Sequence, residues 1–196
     1  KLENAEGVEK IDEILEVVDA VMVARGDMGV EIDFTEIPKI QKDLIRKCYN
    51  SGKPAITATQ MLESMTQNPR PTRAEVTDIA NSIYDGTSAI MLSGETAAGK
   101  YPVEAVKTMA AIAEKTENTI DYNEELRNRN YDHNLSITES ISHAACSVAM
   151  DIDAKAIVTV TKTGGTARNV SKYRPSLPII GCTDTEKSYR QLALSW

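Results

Sequence analysis

Apolar positions along this chain fall into two alternating rhythms. One is the spacing of a helix face: Val8, Ile11, Leu15 and Val18; Ile37, Ile40, Leu44 and Cys48; Val103, Val106, Ala110 and Ala113; Ile141, Ala145 and Val148. The other is a short β-rich run, the mark of a strand; AVMVAR (20–25) has the composition of a buried one. Such runs occupy 20–25 (AVMVAR), 53–59 (KPAITAT), 87–93 (TSAIMLS), 154–161 (AKAIVTVT) and 177–183 (LPIIGCT). Strand and helix take turns, which predicts a parallel sheet. Punctuation agrees. Gly52 ends the second helix, Thr72 with Glu75 and Ser136 with Glu139 have capping-box spacing, and Pro102 stands where a helix begins. Between these elements, GDMGVEIDF and QMLESMTQNPRP read as loops.

The opening KLE reads as the end of a strand. In extended chain Lys1 and Glu3 project to one side and Leu2 to the other. That strand tail and three full strands, each followed by a helix, predict half of a (β/α)₈ TIM barrel over residues 1–120. A doubly wound sheet is the competing arrangement, and the chemistry of the loops favours the barrel. Residues 121–135 (DYNEELRNRNYDHNL) are polar and lack apolar periodicity, so they read as a linker. Residues 136–196 form a second α/β region with only two strands, an incomplete sheet. The chain is therefore expected to be a piece of a longer protein, cut at both ends.

Composition narrows the class. The 196 residues are 41% hydrophobic and carry a net charge of -7, which argues against a nucleic-acid partner. No apolar run is long enough for a membrane span, and no signal peptide is visible. Cys48, Cys146 and Cys182 lack metal-ligand spacing and read as reduced core thiols in a cytoplasmic protein. His133 and His143 read as structural.

What ends each strand carries the chemistry: Lys1 and Glu3; Arg25, Gly26 and Asp27; Thr59 and Gln60; Ser93, Gly94 and Glu95. In a β/α barrel these ends face one site. Glu3 and Asp27, on adjacent strands, suit Mg²⁺ or Mn²⁺, which need only one or two carboxylates and leave other positions to substrate and water. Lys1 suits a phosphoryl group or an enolate oxygen. Gly26 and Gly29 would let backbone amides turn toward an anion. Plainer readings stand beside these. A strand-end Asp or Thr can be a helix cap, Lys1 and Glu3 an exposed ion pair, and Ser93 with Glu95 a local turn motif. Arg25 can pair with a neighbouring acid rather than touch substrate. Met28, Met61 and Met65 read as packing.

These residues resemble the pyruvate kinase family. KLENAEGV is similar to its active-site lysine signature. VMVARGDMGVEI, ITATQMLESM and NPRPTRAEVTDIANSIYDGTSAIMLSGETAAGKYPVEAV are similar to its later barrel strands and loops. The likeness is dense to about Ile120 and looser through TVTKTGGTARNVSKYRP and LALSW. It implies transfer of a phosphoryl group from phosphoenolpyruvate to ADP in glycolysis, with Mg²⁺ and with K⁺ held by residues outside this chain. It further implies that Lys1 stabilises the group in flight and the enolate, and that Glu3 and Asp27 hold the metal. Gly26 and Asp27, after Ala24 and beside Arg25, would take the substrate carboxylate. Thr59 would sit by the carbon to be protonated, with Ser93 and Glu95 in the proton-delivery network. Residues 161–166 (Thr161, Lys162, Thr163, Gly164, Gly165, Thr166) form a strand-to-helix loop suited to phosphate; in the family the corresponding loop grips a phosphorylated allosteric effector. The intact enzyme would be a homotetramer, and this chain is expected to be inactive alone. Two rival readings stay open: a lyase or aldolase working through a Mg-bound pyruvate enolate, and a non-catalytic piece that pairs with other subunits.

Overall fold

In the computed structural model, which describes residues 1–128 and 136–196, neighbouring strands in the sequence are neighbours in space. β1 (Val21–Ala24), β2 (Ala55–Ala58) and β3 (Ala89–Met91) form a parallel sheet in that order. Val21 lies opposite Ala55, and Ile56 opposite Ala89. Leu2 adds a parallel bridge to Val23 on the free side of β1: its N–H donates to the Met22 carbonyl at 2.9 Å. The opening residues are thus a strand end, as the alternation predicts. Four successive chain segments lie side by side without reversing, as in a barrel wall; a doubly wound sheet changes direction at a switch point.

Helices fill the connections. α1 (Ala5–Glu9) and α2 (Ile11–Val17) follow Leu2, and α3 (Arg25–Glu31) and α4 (Ile37–Asn50) follow β1. A 3₁₀ turn (Glu63–Thr66) and α5 (Arg73–Tyr84) follow β2, and α6 (Gly94–Ala97) and α7 (Pro102–Glu117) follow β3. One apolar cluster packs Ile11 and Leu15 with Val23, Leu44, Ile45 and Cys48. A second gathers Met61, Leu62, Met65, Ile79, Ala105 and Met109. Both capping boxes form. Gly52, at φ +64°, lets the chain turn from α4 toward β2.

Four loop and helix expectations change. GDMGVEIDF begins as α3 rather than as a loop. Gly26 and Gly29 lie within α3 and outside the left-handed region, so the expected anion nest does not form. The polar stretch after β2 is pinned by Met61, Leu62 and Met65, all fully buried. On α7 the buried face is Ala105, Met109 and Thr116, while Val103 and Val106 are exposed.

The chain separates into two compact units, Lys1–Ile120 and Asp121–Trp196. In the second, α8 (Tyr122–Asn128) precedes α9 (Ile137–Asp151), β4 (Ile157–Val160), α10 (Gly165–Ser171), β5 (Ile179–Cys182) and α11 (Glu186–Leu192). β4 and β5 pair in parallel, Ile157 opposite Ile179. Part of the expected linker is therefore helix, with Leu126 buried; positions 129–135, which include His133, lie outside the described residues. The core joins Leu126, Cys146, Met150, Val170 and Tyr173, and His143 meets the Tyr173 ring edge-on at 5.3 Å. Trp196 packs 5.4 Å from Tyr122, with the Arg174 guanidinium 4.6 Å over its ring. Cys182 is exposed on β5 and leaves the set of core thiols; Cys48 and Cys146 stay in it. Among the described residues, no helix is long and apolar enough to cross a membrane.

Candidate active site at the strand ends

Pairing of Leu2 with β1 fixes where its neighbours point. Leu2 is buried in the first core, so Lys1 and Glu3 emerge on the other side, beside the first turn of α3. There the Lys1 ammonium pairs with Glu3 and lies 2.9 Å from Asp27 Oδ2. One cation thus touches both carboxylates, and these bonds, with Glu3 first and Asp27 second, raise the Lys1 pKa above its ordinary value. All three side chains are about half exposed, which leaves room for water and a ligand. Among the described residues no group of three or more His, Cys, Asp or Glu stands ready for a metal. A pair of carboxylates open to solvent nevertheless fits Mg²⁺, which keeps several waters and takes oxygen ligands from one or two acids.

Thr59 follows β2 in a left-handed conformation, φ +71°, and Gln60 follows it at +54°. A β-branched residue there is strained and needs partners to hold it. They are present. The Thr59 hydroxyl donates to the Ala58 carbonyl at 2.6 Å and accepts from the Gly26 N–H at 2.9 Å. A Cβ at Gly26 would lie in ordinary contact with that hydroxyl, 3.4 Å away. Gly26, expected to offer its amide to a substrate carboxylate, gives it to Thr59 instead.

Arg25 supplies the other brace. Its Nη1 lies 2.7 Å from the Asp78 carboxylate, and Nη2 donates to the Thr59 carbonyl at 2.7 Å. With its side chain only 10% exposed, the guanidinium is enclosed by protein. Of the two readings open for Arg25, the ion pair with a neighbouring acid is the one present. It draws α5, α3 and the end of β2 together. Gln41, buried on α4, extends the network from Ser82 to Asp85.

Glu95 is fully buried, and both its oxygens accept backbone amides: Oε1 from Leu62 at 3.0 Å, Oε2 from Ser93 at 2.7 Å. The turn motif is thus present, and it reaches across to the loop after β2. Ser93 caps α6 through its carbonyl, which accepts from the Ala97 N–H at 3.0 Å. The two loops meet again at Gly99, where a Cβ would fall 3.2 Å from Thr66 Cα in the loop after β2 and 2.3 Å from the Glu95 carbonyl of its own loop. Glu75 closes the assembly. One oxygen accepts the Ser64 N–H at 2.7 Å, the other the Ser64 hydroxyl at 2.6 Å and the Thr72 N–H at 2.8 Å. Burial pushes its pKa up, but these bonds outweigh burial and hold it below the ordinary value. Asp78, Gln41 and Ser64 carry no sequence signal for these roles, because their partners lie far along the chain.

In the second unit, residues 161–166 run from β4 into α10. Thr161 is buried, and its N–H donates to the Cys182 carbonyl at 2.9 Å. The Lys162 carbonyl accepts from the hydroxyls of Thr185 at 3.0 Å and Ser188 at 2.9 Å. Gly164 caps α10 at φ +82°; a side chain there would also strike Arg168. Arg168 donates to the Thr163 carbonyl at 3.1 Å, which sets a cation beside this loop that no motif marks in the sequence. Lys162, Thr163 and Thr166 are exposed, with Gly165 beside them.

Parallel strands laid out in chain order, with charged and hydroxyl groups at their carboxyl ends, define a β/α-barrel enzyme class. Comparison with known proteins narrows it. Residues 1–106 match the family described as "Pyruvate kinase, barrel domain", and residues 139–196 match "Pyruvate kinase, alpha/beta domain". The chain belongs to the pyruvate kinase family. It is 58% identical over 196 residues to a pyruvate kinase of Clostridium acetobutylicum, covering all of this chain and 41% of that protein. A pyruvate kinase of Geobacillus stearothermophilus is 57% identical, with 33% of its length covered. A crystal structure of a pyruvate kinase from Cryptosporidium parvum superposes with a TM-score of 0.94 at 46% identity, over 98% of this chain and 39% of that one. The chain spans about two fifths or less of the length of these relatives.

Proposed function

We propose that this chain carries part of a site that transfers a phosphoryl group from phosphoenolpyruvate to ADP. The observation that carries the reading is the single ammonium of Lys1 set against Glu3 and Asp27 at adjacent strand ends. Glu3 and Asp27 would hold Mg²⁺ or Mn²⁺, which would supply positive charge to the phosphoryl and enolate oxygens. Lys1 offers a second cation to the group in flight, where fixed charge lowers the barrier most. Thr59, locked between Ala58 and Gly26, positions the substrate beside the carbon that is protonated. Arg25 acts from behind by holding the Thr59 carbonyl. Glu95 keeps Ser93 and the loop after β2 in register for proton delivery. The substrate carboxylate lies against the first turn of α3, around Ala24, Gly26 and Asp27, and exchanges there with the Thr59 hydroxyl. No residue of this chain is assigned to K⁺. Residues 161–166, with Arg168 beside them, form the phosphate seat of an effector site in the second unit. The intact enzyme belongs to glycolysis as a cytoplasmic homotetramer.

A chimera tests this. This chain replaces its counterpart in the Clostridium acetobutylicum relative, and ATP formation from phosphoenolpyruvate and ADP is followed. Turnover is expected, and Lys1→Met should lower kcat by about 10²–10³-fold, the size of losing one preorganised charge-stabilising group. A folded Lys1→Met chimera with undiminished kcat would refute the reading.

A further inference from the structure

We infer that the Lys1 ammonium is the stand-in cation of the metal site, which an incoming divalent ion must displace, so that metal entry itself turns Lys1 out toward the substrate's phosphoryl group. The inference rests on the assignment of Glu3 and Asp27 as the metal pair.

Three features carry it. The ammonium contacts both carboxylates, and so occupies the position where their negative charge converges. A divalent ion bound by the same oxygens and an ammonium left in place would repel strongly at such short range. The backbone that follows Lys1 is held, because Leu2 is buried and hydrogen-bonded to Met22 and Ala24. On that backbone the Lys1 side chain, about half exposed, has room to swing. Without metal, Lys1 keeps two like charges together; with metal, it is released for a new anionic partner. Competition makes the metal bind more weakly than its two acids alone would allow. A substrate anion that receives the displaced ammonium would strengthen metal binding, and the metal would strengthen anion binding equally.

Mn²⁺ alone is the probe, titrated against the chain and followed by loss of the free-ion electron paramagnetic resonance signal. Lys1→Met keeps the length of the side chain and removes its charge. It should bind Mn²⁺ about three- to tenfold more tightly, the scale of two exposed ion pairs given up. Lys10→Met, which removes a lysine paired with Glu6 elsewhere, is the control for net charge and should leave affinity unchanged. Glu3→Gln should weaken binding. If Lys1→Met binds no more tightly while Glu3→Gln still weakens, displacement is wrong and the metal pair stands. Equal tightening in Lys10→Met would reduce the effect to net charge and overturn the inference. Unchanged binding in Glu3→Gln would remove the metal pair and the inference with it.

Discussion

At the scale of single residues, the strand-end chemistry is held by backbone that would not hold itself. Thr59 and Gln60 both sit at positive φ. Thr59 has partners for its hydroxyl and carbonyl; Gln60 is exposed and is held chiefly through its main chain, whose carbonyl accepts from Arg25 at 3.4 Å. A left-handed L-residue costs roughly 1–2 kcal/mol, and glycine's extra chain entropy returns about half of that. Gln60→Gly should therefore stabilise the chain by about 0.5–1 kcal/mol in urea unfolding; clear destabilisation would deny that the residue is left-handed. Gly99 is the opposite case, since any Cβ meets the Glu95 carbonyl. Gly99→Ala should cost about 1–3 kcal/mol in the same assay, the range of overpacked sites, and a neutral result would mean that Gly99 is not pressed against that carbonyl. Residue-scale legibility was uneven for a physical reason. Lys1 and Glu3 were readable because strand alternation fixes direction within two positions, and Asp27 because it stands three residues past a strand end. The partnership of Arg25 with Asp78 was not, because 53 residues separate them and only the fold brings them together.

At the scale of elements, the strands and capping boxes stood out in the sequence, while two helix faces did not. On α7 and α9 the greasiest stripes, Val103 with Val106 and Ile141 with Val148, are exposed. The faces turned inward are Ala105, Met109 and Thr116, and Ser142, Cys146 and Ala149. Small side chains let helices approach their neighbours closely, so hydrophobicity alone picks the wrong face. The start of α9 is tied to the end of α10 by Glu139, which accepts from Lys172 Nζ at 2.5 Å and from the Ser136 N–H at 2.9 Å. The Lys172 bond first, then those from Ser136, hold the Glu139 pKa down to about 2 from an ordinary 4.5. A lowered carboxylate stabilises the fold fully above its unfolded value and loses that contribution as pH falls through the folded one. The second unit should therefore lose stability between about pH 5 and 2. Trp196 is the chain's one tryptophan and lies in that unit, so its fluorescence reads this unit alone. Glu139→Gln should flatten the acid dependence; an unchanged slope would place the loss in other groups.

At the scale of the whole molecule, two compact units carry two kinds of loop chemistry: carboxylates and a lysine in the first, glycine and hydroxyls beside arginine in the second. Family membership gives both a common context, and chain order along the sheet gives the first its site. The account rests on Glu3 and Asp27 acting on one ion. A double-mutant cycle on Mn²⁺ affinity tests that directly. Glu3→Gln and Asp27→Asn should each weaken binding by at least about tenfold, as even an outer partner's loss does at many metal sites. The double variant should fall well short of the product of the two losses, because each single variant already breaks the shared site. Losses that multiply as independent factors, or no loss in either variant, would contradict a shared ion.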